Sequence, residues 1–301
     1  MLRTFRKAEK SPQEEAKEII DRYNSSDAKR ETYNFRIHWQ VIAEYFMTRK
    51  ADFVINFIPG MFLNRDLYDS TGPKCINIMA GSLLGMLWPE SEKNFTLQLA
   101  RNIPDTKENR DFINEQSNRL LEQMNHPNAG LALALNEYMR DTVTFGTAGV
   151  GTFDSPEHEN YECDFMFQPW DTKRTTIEEG PNGLVNRIYY EVEKTIEQLV
   201  LEFGIENVSQ TSRDMYKNRS FDIKVSVLHA IEPRYDRDPD GESVFDMPVR
   251  SVYIELKGGG VNIGGGSPGV GVSSPNDGAI LKESGFEAMP VFVNRFYKNL
   301  R

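Results

Sequence analysis

Cysteine is scarce in this chain, with two residues, Cys75 and Cys163, among 301. Histidine is nearly as scarce: His38, His126, His158 and His229 are scattered without an H-x-x-x-H or H-x-E spacing. These shortages exclude a disulfide framework and the usual zinc signatures. The two cysteines read as small buried hydrophobes in a reducing compartment. No apolar run reaches the roughly 18–20 residues that span a bilayer, the longest being residues 76–88. Basic excess is missing too: 35 Lys and Arg stand against 45 Asp and Glu, a net charge of −10. That balance argues against a surface built to grip nucleic-acid phosphates. Residues 1–10 are basic, but no apolar segment follows them, so no signal peptide is read. These features point to a soluble intracellular protein or a virion component.

What the chain does have is a helix made for close packing. Asp69, Ser70 and Thr71 offer side-chain oxygens to the free N–H groups of a helix start. Apolar residues then recur at Ile76, Met79, Ala80, Leu83, Leu84 and Leu87 with helical spacing. Gly81, Ser82 and Gly85 give this helix a narrow side, and Trp88-Pro89 stops it because proline cannot continue the ladder. The spacing predicts close backbone packing of Gly81 and Gly85, within the subunit or against a neighbour.

The rest of the first half is also helical. Ser11-Pro12-Gln13-Glu14 is a capping box that opens a helix to about Tyr23. A second helix is expected over residues 30–48, with Val41, Ile42, Tyr45 and Phe46 facing inwards. Residues 95–99 alternate like a short strand. Asp105-Thr106-Lys107-Glu108 caps a helix with its stripe at Phe112, Ile113, Leu120, Leu121 and Met124. The turn at residues 127–130 leads to a helix that ends at Gly146, a natural C-cap. From Thr147 the period changes to two. Strands are expected around Phe165 and Phe167, over residues 184–192, along Phe221, Ile223, Val225, Val227, His229 and Ile231, and along Val252, Ile254 and Leu256. One helix, from about Glu193 to Phe203, lies between them. The expected fold class is α+β, mixed rather than doubly wound: a mainly helical part over 1–146, then a β-rich part over 147–301. The latter carries one intervening helix and a glycine-rich loop at 258–278.

Several motifs invite a chemical reading. Gly264, Gly266 and Gly269 match G-x-G-x-x-G, but Pro268 interrupts and no helix follows. Ser267 sits in a G-x-S-x-G match that would make the chain a hydrolase-type enzyme, although a nucleophile elbow needs a strand, a sharp turn and a helix. No Walker lysine follows these glycines. Asp236, Asp238 and Asp240 open a calcium-like loop, which would suit a calcium-stabilised tail or adhesion module. Its twelfth position is Met247 where a bidentate Glu is needed, so a polar hairpin loop is the better reading. His229 reads as a hydrogen-bonded inward histidine, and Glu178-Glu179 and Glu191/Glu193 as solvated charge. No residue is assigned a catalytic, cofactor-binding or metal-ligating role.

Taken in order, the local signals resemble the head-to-tail connecting (portal) proteins of short-tailed bacteriophages. Trp39-Gln40-Val41-Ile42-Ala43-Glu44-Tyr45 is similar to an early Trp-x-x-Ile-Ala-x-Tyr helix of that family. Tyr68-Asp69-Ser70-Thr71, Ala80-Gly81-Ser82-Leu83, Trp88-Pro89, Phe95-x-Leu97 and Phe145-Gly146-Thr147-Ala148-Gly149 follow in register. So do Ile188-Tyr189-Tyr190-Glu191, Phe203-Gly204, His229-Ala230-Ile231-Glu232-Pro233-Arg234, and the segment Leu281, Ser284-Gly285-Phe286, Pro290 and Arg295. The chain departs from the pattern at Asn94 and Phe296, where tryptophan is usual, and lacks the proline expected soon after Tyr45. The resemblance implies a subunit of a dodecameric ring at one capsid vertex, without enzymatic activity or cofactor. Its implied partners are its own copies, capsid and scaffolding proteins, the terminase packaging motor and tail or adaptor proteins. Double-stranded DNA would pass through without sequence-specific binding, and no membrane is involved. The implied location is the virion vertex, and the host cytoplasm during assembly. This half would correspond mostly to the family's wing, as one continuous region, with the family's later segments beyond residue 301.

Overall fold

A computed structural model describes residues 11–54, 67–89, 93–154, 163–241, 243–256 and 278–295. The chain forms two interleaved units. The first takes residues 1–38, 53–59 and 173–289, and the second takes 39–52, 60–172 and 290–301. Among the described residues all strand pairs are antiparallel, and most helices precede the strands, which makes the fold α+β.

The first unit is built on a five-stranded sheet of order β3-β4-β5-β6-β7 (Thr175–Glu179, Val185–Thr195, Lys224–Pro233, Val249–Glu255, Ala279–Phe286). Helix α1 (Pro12–Thr32) lies on one face, opened by the expected capping box between Ser11 and Glu14. Its Ala16, Ile19, Ile20 and Tyr23 pack on Tyr189, Leu228, Ala230, Val252 and Ile254. The other face carries α6 (Ile196–Phe203), whose Leu199 and Phe203, with Val208 beyond the helix, meet Val227 and Leu281. Burial of both faces explains β5. The expected alternation through Val227 and His229 covers one face, while Leu228 and Ala230 fill the other. A further helix, α7 (Gln210–Lys217), is capped by Ser209.

Polar ties run along the same α1 face, crossing the strands in order. Glu15 pairs with Arg250 on β6 at 2.7 Å. Arg22 meets Glu232 on β5 at 2.6 Å, and the Tyr23 hydroxyl donates to Glu191 on β4 at 2.9 Å. Glu178 on β3 accepts from Ser26, Lys29 and Arg187. Glu178 and Glu191 are therefore anchors for α1 and not the solvated pairs expected. Burial, and then the nearby Glu232, pushes the Tyr189 hydroxyl up to about 12.

In the second unit, α5 (Leu131–Phe145) packs on the sheet β2-β1-β8 (Phe165–Trp170, Thr147–Asp154, Val291–Arg295). Gly146 ends α5 with φ of 75°, a left-handed conformation that costs glycine nothing. Asp141 is buried in this core. Its two oxygens accept from Lys50 Nζ at 2.7 and 2.9 Å, and the Thr172 hydroxyl donates at 3.3 Å. Burial raises the Asp141 carboxyl and Lys50 opposes that shift.

Several element boundaries differ from expectation. Helix α1 runs on to Thr32, and α2 spans Phe35–Phe46. Val41, Tyr45 and Phe46, expected inside, are exposed. Residues 95–99 are not a strand, because the Leu97 N–H donates to Ser117 Oγ on α4 (Lys107–Met124) instead of to a ladder. Strand β5 begins at Lys224, so Phe221 and Ile223 precede it.

Candidate assembly surface

The helix singled out by its small residues is α3 (Thr71–Leu87), in the second unit. Its start is fixed by Asp69, whose Oδ1 accepts the Thr71 N–H at 2.7 Å. That bond stabilises the ionised form and lowers the Asp69 carboxyl below its usual range. Trp88 follows the last helical turn, as Pro89 requires.

Helix α3 packs on α5, yet Ala80 is its one buried residue. Ile78 is 69% exposed, Met79 45%, Met86 80% and Leu87 63%, values that leave its outer side uncovered. Cys75, expected to be buried, is exposed on the same helix, whereas Cys163 is buried and donates to the Phe165 carbonyl. Apart from the backbone of α3 itself and the adjoining residues, no described atom lies within 4 Å of the position a Cβ would take at Gly81 or at Gly85. The close approach expected of these glycines is thus not made within the described chain. From Ile76 to Trp88 no side chain is ionisable. Elsewhere in this unit, α2 exposes Val41 and Tyr45, at 49% and 51%, and α4 exposes Phe112 at 59%. Helices α3 and α4 each bury a single residue, Ala80 and Ser117, which is little for elements of this length. Exposed apolar patches mark contact surfaces, and the open side of α3 is the candidate for one.

Among the described residues, the sequence-level chemical candidates are not drawn into a reactive site. Ser267, with Gly264, Gly266 and Gly269, lies outside the described residues. Asp236, Asp238 and Asp240 fall in the connection between β5 and β6, as the hairpin reading requires. There Asp238 Oδ1 accepts the Asp240 N–H at 3.1 Å, a local turn bond. Among the described residues, no three His, Cys, Asp or Glu side chains are placed to hold a metal ion. His229 is buried, with Nε2 at 2.8 Å from Ser251 Oγ and its ring stacked on Tyr253 at 3.9 Å. Burial, with Lys194 nearby, pulls its imidazole down to about 3, so it stays neutral. His126 Nδ1 accepts the Asn128 N–H at the turn before α5. No helix among the described residues is long and apolar enough to cross a membrane.

Helix α3 thus leaves an apolar side open to solvent, and sequence comparison supplies the family. The family described as "Bacteriophage head to tail connecting protein" matches residues 16–267, and the chain belongs to that family. It is 27% identical over 248 residues to the "Probable portal protein" of Bordetella phage BPP-1, covering 81% of this chain and 42% of the relative. It is 24% identical over 280 residues to the "Portal protein" of Salmonella phage epsilon15, covering 90% of this chain and 45% of the relative. The chain therefore spans less than half the length of the curated relatives it matches.

Proposed function

We propose that this chain is a structural subunit of a portal ring, a dodecamer set at one capsid vertex, through which the genome is packaged and later ejected. Its partners are further copies of itself, capsid and scaffolding proteins, the terminase motor that drives packaging, and tail or adaptor proteins. It resides in the virion and assembles in the host cytoplasm. Its role is mechanical rather than enzymatic. The described residues correspond to the wing of such a subunit, with the family's later segments completing the channel.

The observation that carries this reading is the family match over most of the chain, together with relatives named as portal proteins. The uncovered face of α3 supports an assembling role. The net charge of −10 also suits a conduit, since every phosphate contact adds salt-dependent affinity and hence friction on moving DNA. Nothing in the comparisons favours a hydrolase using Ser267 or a calcium-stabilised module using Asp236, Asp238 and Asp240. The test is a nonsense mutation in the gene, examined by electron microscopy and DNA content of the heads. The expected product is heads without a vertex ring and without packaged DNA. Normally filled heads would overturn the proposal.

A further inference from the structure

We propose that Asn182, in the turn between β3 and β4, converts spontaneously to aspartate and isoaspartate through a cyclic imide, and that the isoaspartate form loosens β3 from its sheet. The site lies wholly within the first unit and is independent of the ring reading.

Asn182-Gly183 is the chain's one Asn-Gly pair. It follows Pro181 in a tight turn, in which the Gly183 N–H donates to the Gly180 carbonyl at 2.9 Å and the Gly180 N–H donates to the Leu184 carbonyl at 2.8 Å. Asn182 is exposed, so water and hydroxide reach it. Its Oδ1 accepts the Leu184 N–H at 3.1 Å. An asparagine bonded to the N–H two residues on folds its side-chain carbonyl back over the following peptide, whose nitrogen here is that of Gly183. The same bond places a donor on the oxygen that becomes anionic when Cγ is attacked. Gly183 has no Cβ to block that approach, and its φ of 71° is a left-handed conformation that glycine holds without strain. Asn186 is the contrast: it is half-buried in β4 and is followed by Arg187.

The conversion needs only water. Gly183 N gives its proton to hydroxide and bonds to Asn182 Cγ. The Cγ–Nδ2 bond then breaks, and Nδ2 leaves as ammonia by taking a proton from water, which returns the hydroxide. A further water opens the imide. Breaking the new Cγ–N bond gives aspartate, whereas breaking the original backbone C–N bond gives isoaspartate, whose main chain runs through Cβ. Both products add a negative charge, but only isoaspartate adds a methylene to the backbone. Turn length fixes the register of a hairpin, and both turn bonds span the lengthened segment. Strand β3 is an edge strand held in the sheet by β4 alone. It carries Glu178, the acceptor for Ser26, Lys29 and Arg187, so loosening it also weakens an anchor of α1.

Ageing the purified, folded chain in mildly alkaline buffer, followed by tryptic mass spectrometry, tests this. Residues 175–187 form one tryptic peptide that holds both Asn182 and Asn186, and an unaged sample controls for conversion during digestion. The expected result is replacement of the Asn182 amide by a carboxyl, read as a mass gain on fragments that contain residue 182 and as two separable products. The rate should exceed that at Asn186 by about tenfold or more, because only Asn182 has its reacting atoms positioned. Backbone hydrogen exchange over residues 175–179 should quicken in the aged chain. An Asn182→Asp variant, which carries the charge without the extra methylene, should exchange as the unaged parent does. The site is refuted if Asn182 stays intact or converts no faster than Asn186. The loosening is refuted if ageing leaves exchange over residues 175–179 unchanged, or if Asn182→Asp quickens it equally.

Discussion

His229 allows the sharpest test of the first unit's core. In the fold its imidazole is held neutral down to about 3, against 6.5 when free, because charging it would bury a cation beside Tyr253 and near Lys194. The sign follows from proton counting. Between those two values the unfolded chain binds a proton that the folded chain does not, so stability rises with pH across the window and falls as pH is lowered. Each pH unit below 6.5 removes about 1.4 kcal/mol, which amounts to about 2 kcal/mol at about pH 5. That is a readable fraction of a typical domain stability of about 5–15 kcal/mol. His229→Gln keeps a polar group for Ser251 and removes the titration. Urea unfolding of both proteins at about pH 7 and about pH 5 isolates the histidine, because the carboxylates they share cancel in the comparison. The parent should lose about 2 kcal/mol more than the variant on acidification. Equal losses, or an NMR titration of His229 near its free value, would refute the reasoning.

Three further outcomes follow from the packing. Lys50→Met leaves the buried Asp141 without its cation and should destabilise the protein by about 3 kcal/mol, measured by chemical unfolding. Gly278→Ala would place a Cβ 2.7 Å from Ile20 Cδ1 and from Ile254 Cγ2, and the overpacking should cost about 1–3 kcal/mol in the same assay. A maleimide reagent should modify Cys75 in the native protein and reach Cys163 only after unfolding, while the double replacement by serine leaves particle assembly intact; rapid native labelling of Cys163 would contradict this.

Much of the fold was legible where local signals and tertiary packing agree. The Ser11–Glu14 capping box, the Gly146 C-cap, the Pro89 stop and the hairpin from β5 to β6 all appear where residue chemistry places them. Disagreements arise where tertiary contacts override a local signal. Asn24, Ser25 and Ser26 look like a helix end near Tyr23, but Ser26 donates to Glu178 and α1 continues over the sheet. Residues 95–99 alternate like a strand, yet their backbone is tied to α4 through Ser117. Helix α7 was not expected: it is short and polar, and no apolar stripe marks it. The candidate surface was half legible. Periodicity marks α3 and its glycines, but large apolar residues lie on more than one side of it, so pattern alone does not say which side the chain covers. The exposure of Ile78 and Met86 supplies that.

The central claim is that this chain forms one ring per particle. Quantitative mass spectrometry of purified virions, scaled to the major capsid protein, measures its copy number most directly. The account expects this chain at about one ring's worth of copies, a dozen, in every particle. Its absence from the virion, or a copy number rising to the hundreds expected of a shell protein, would contradict it.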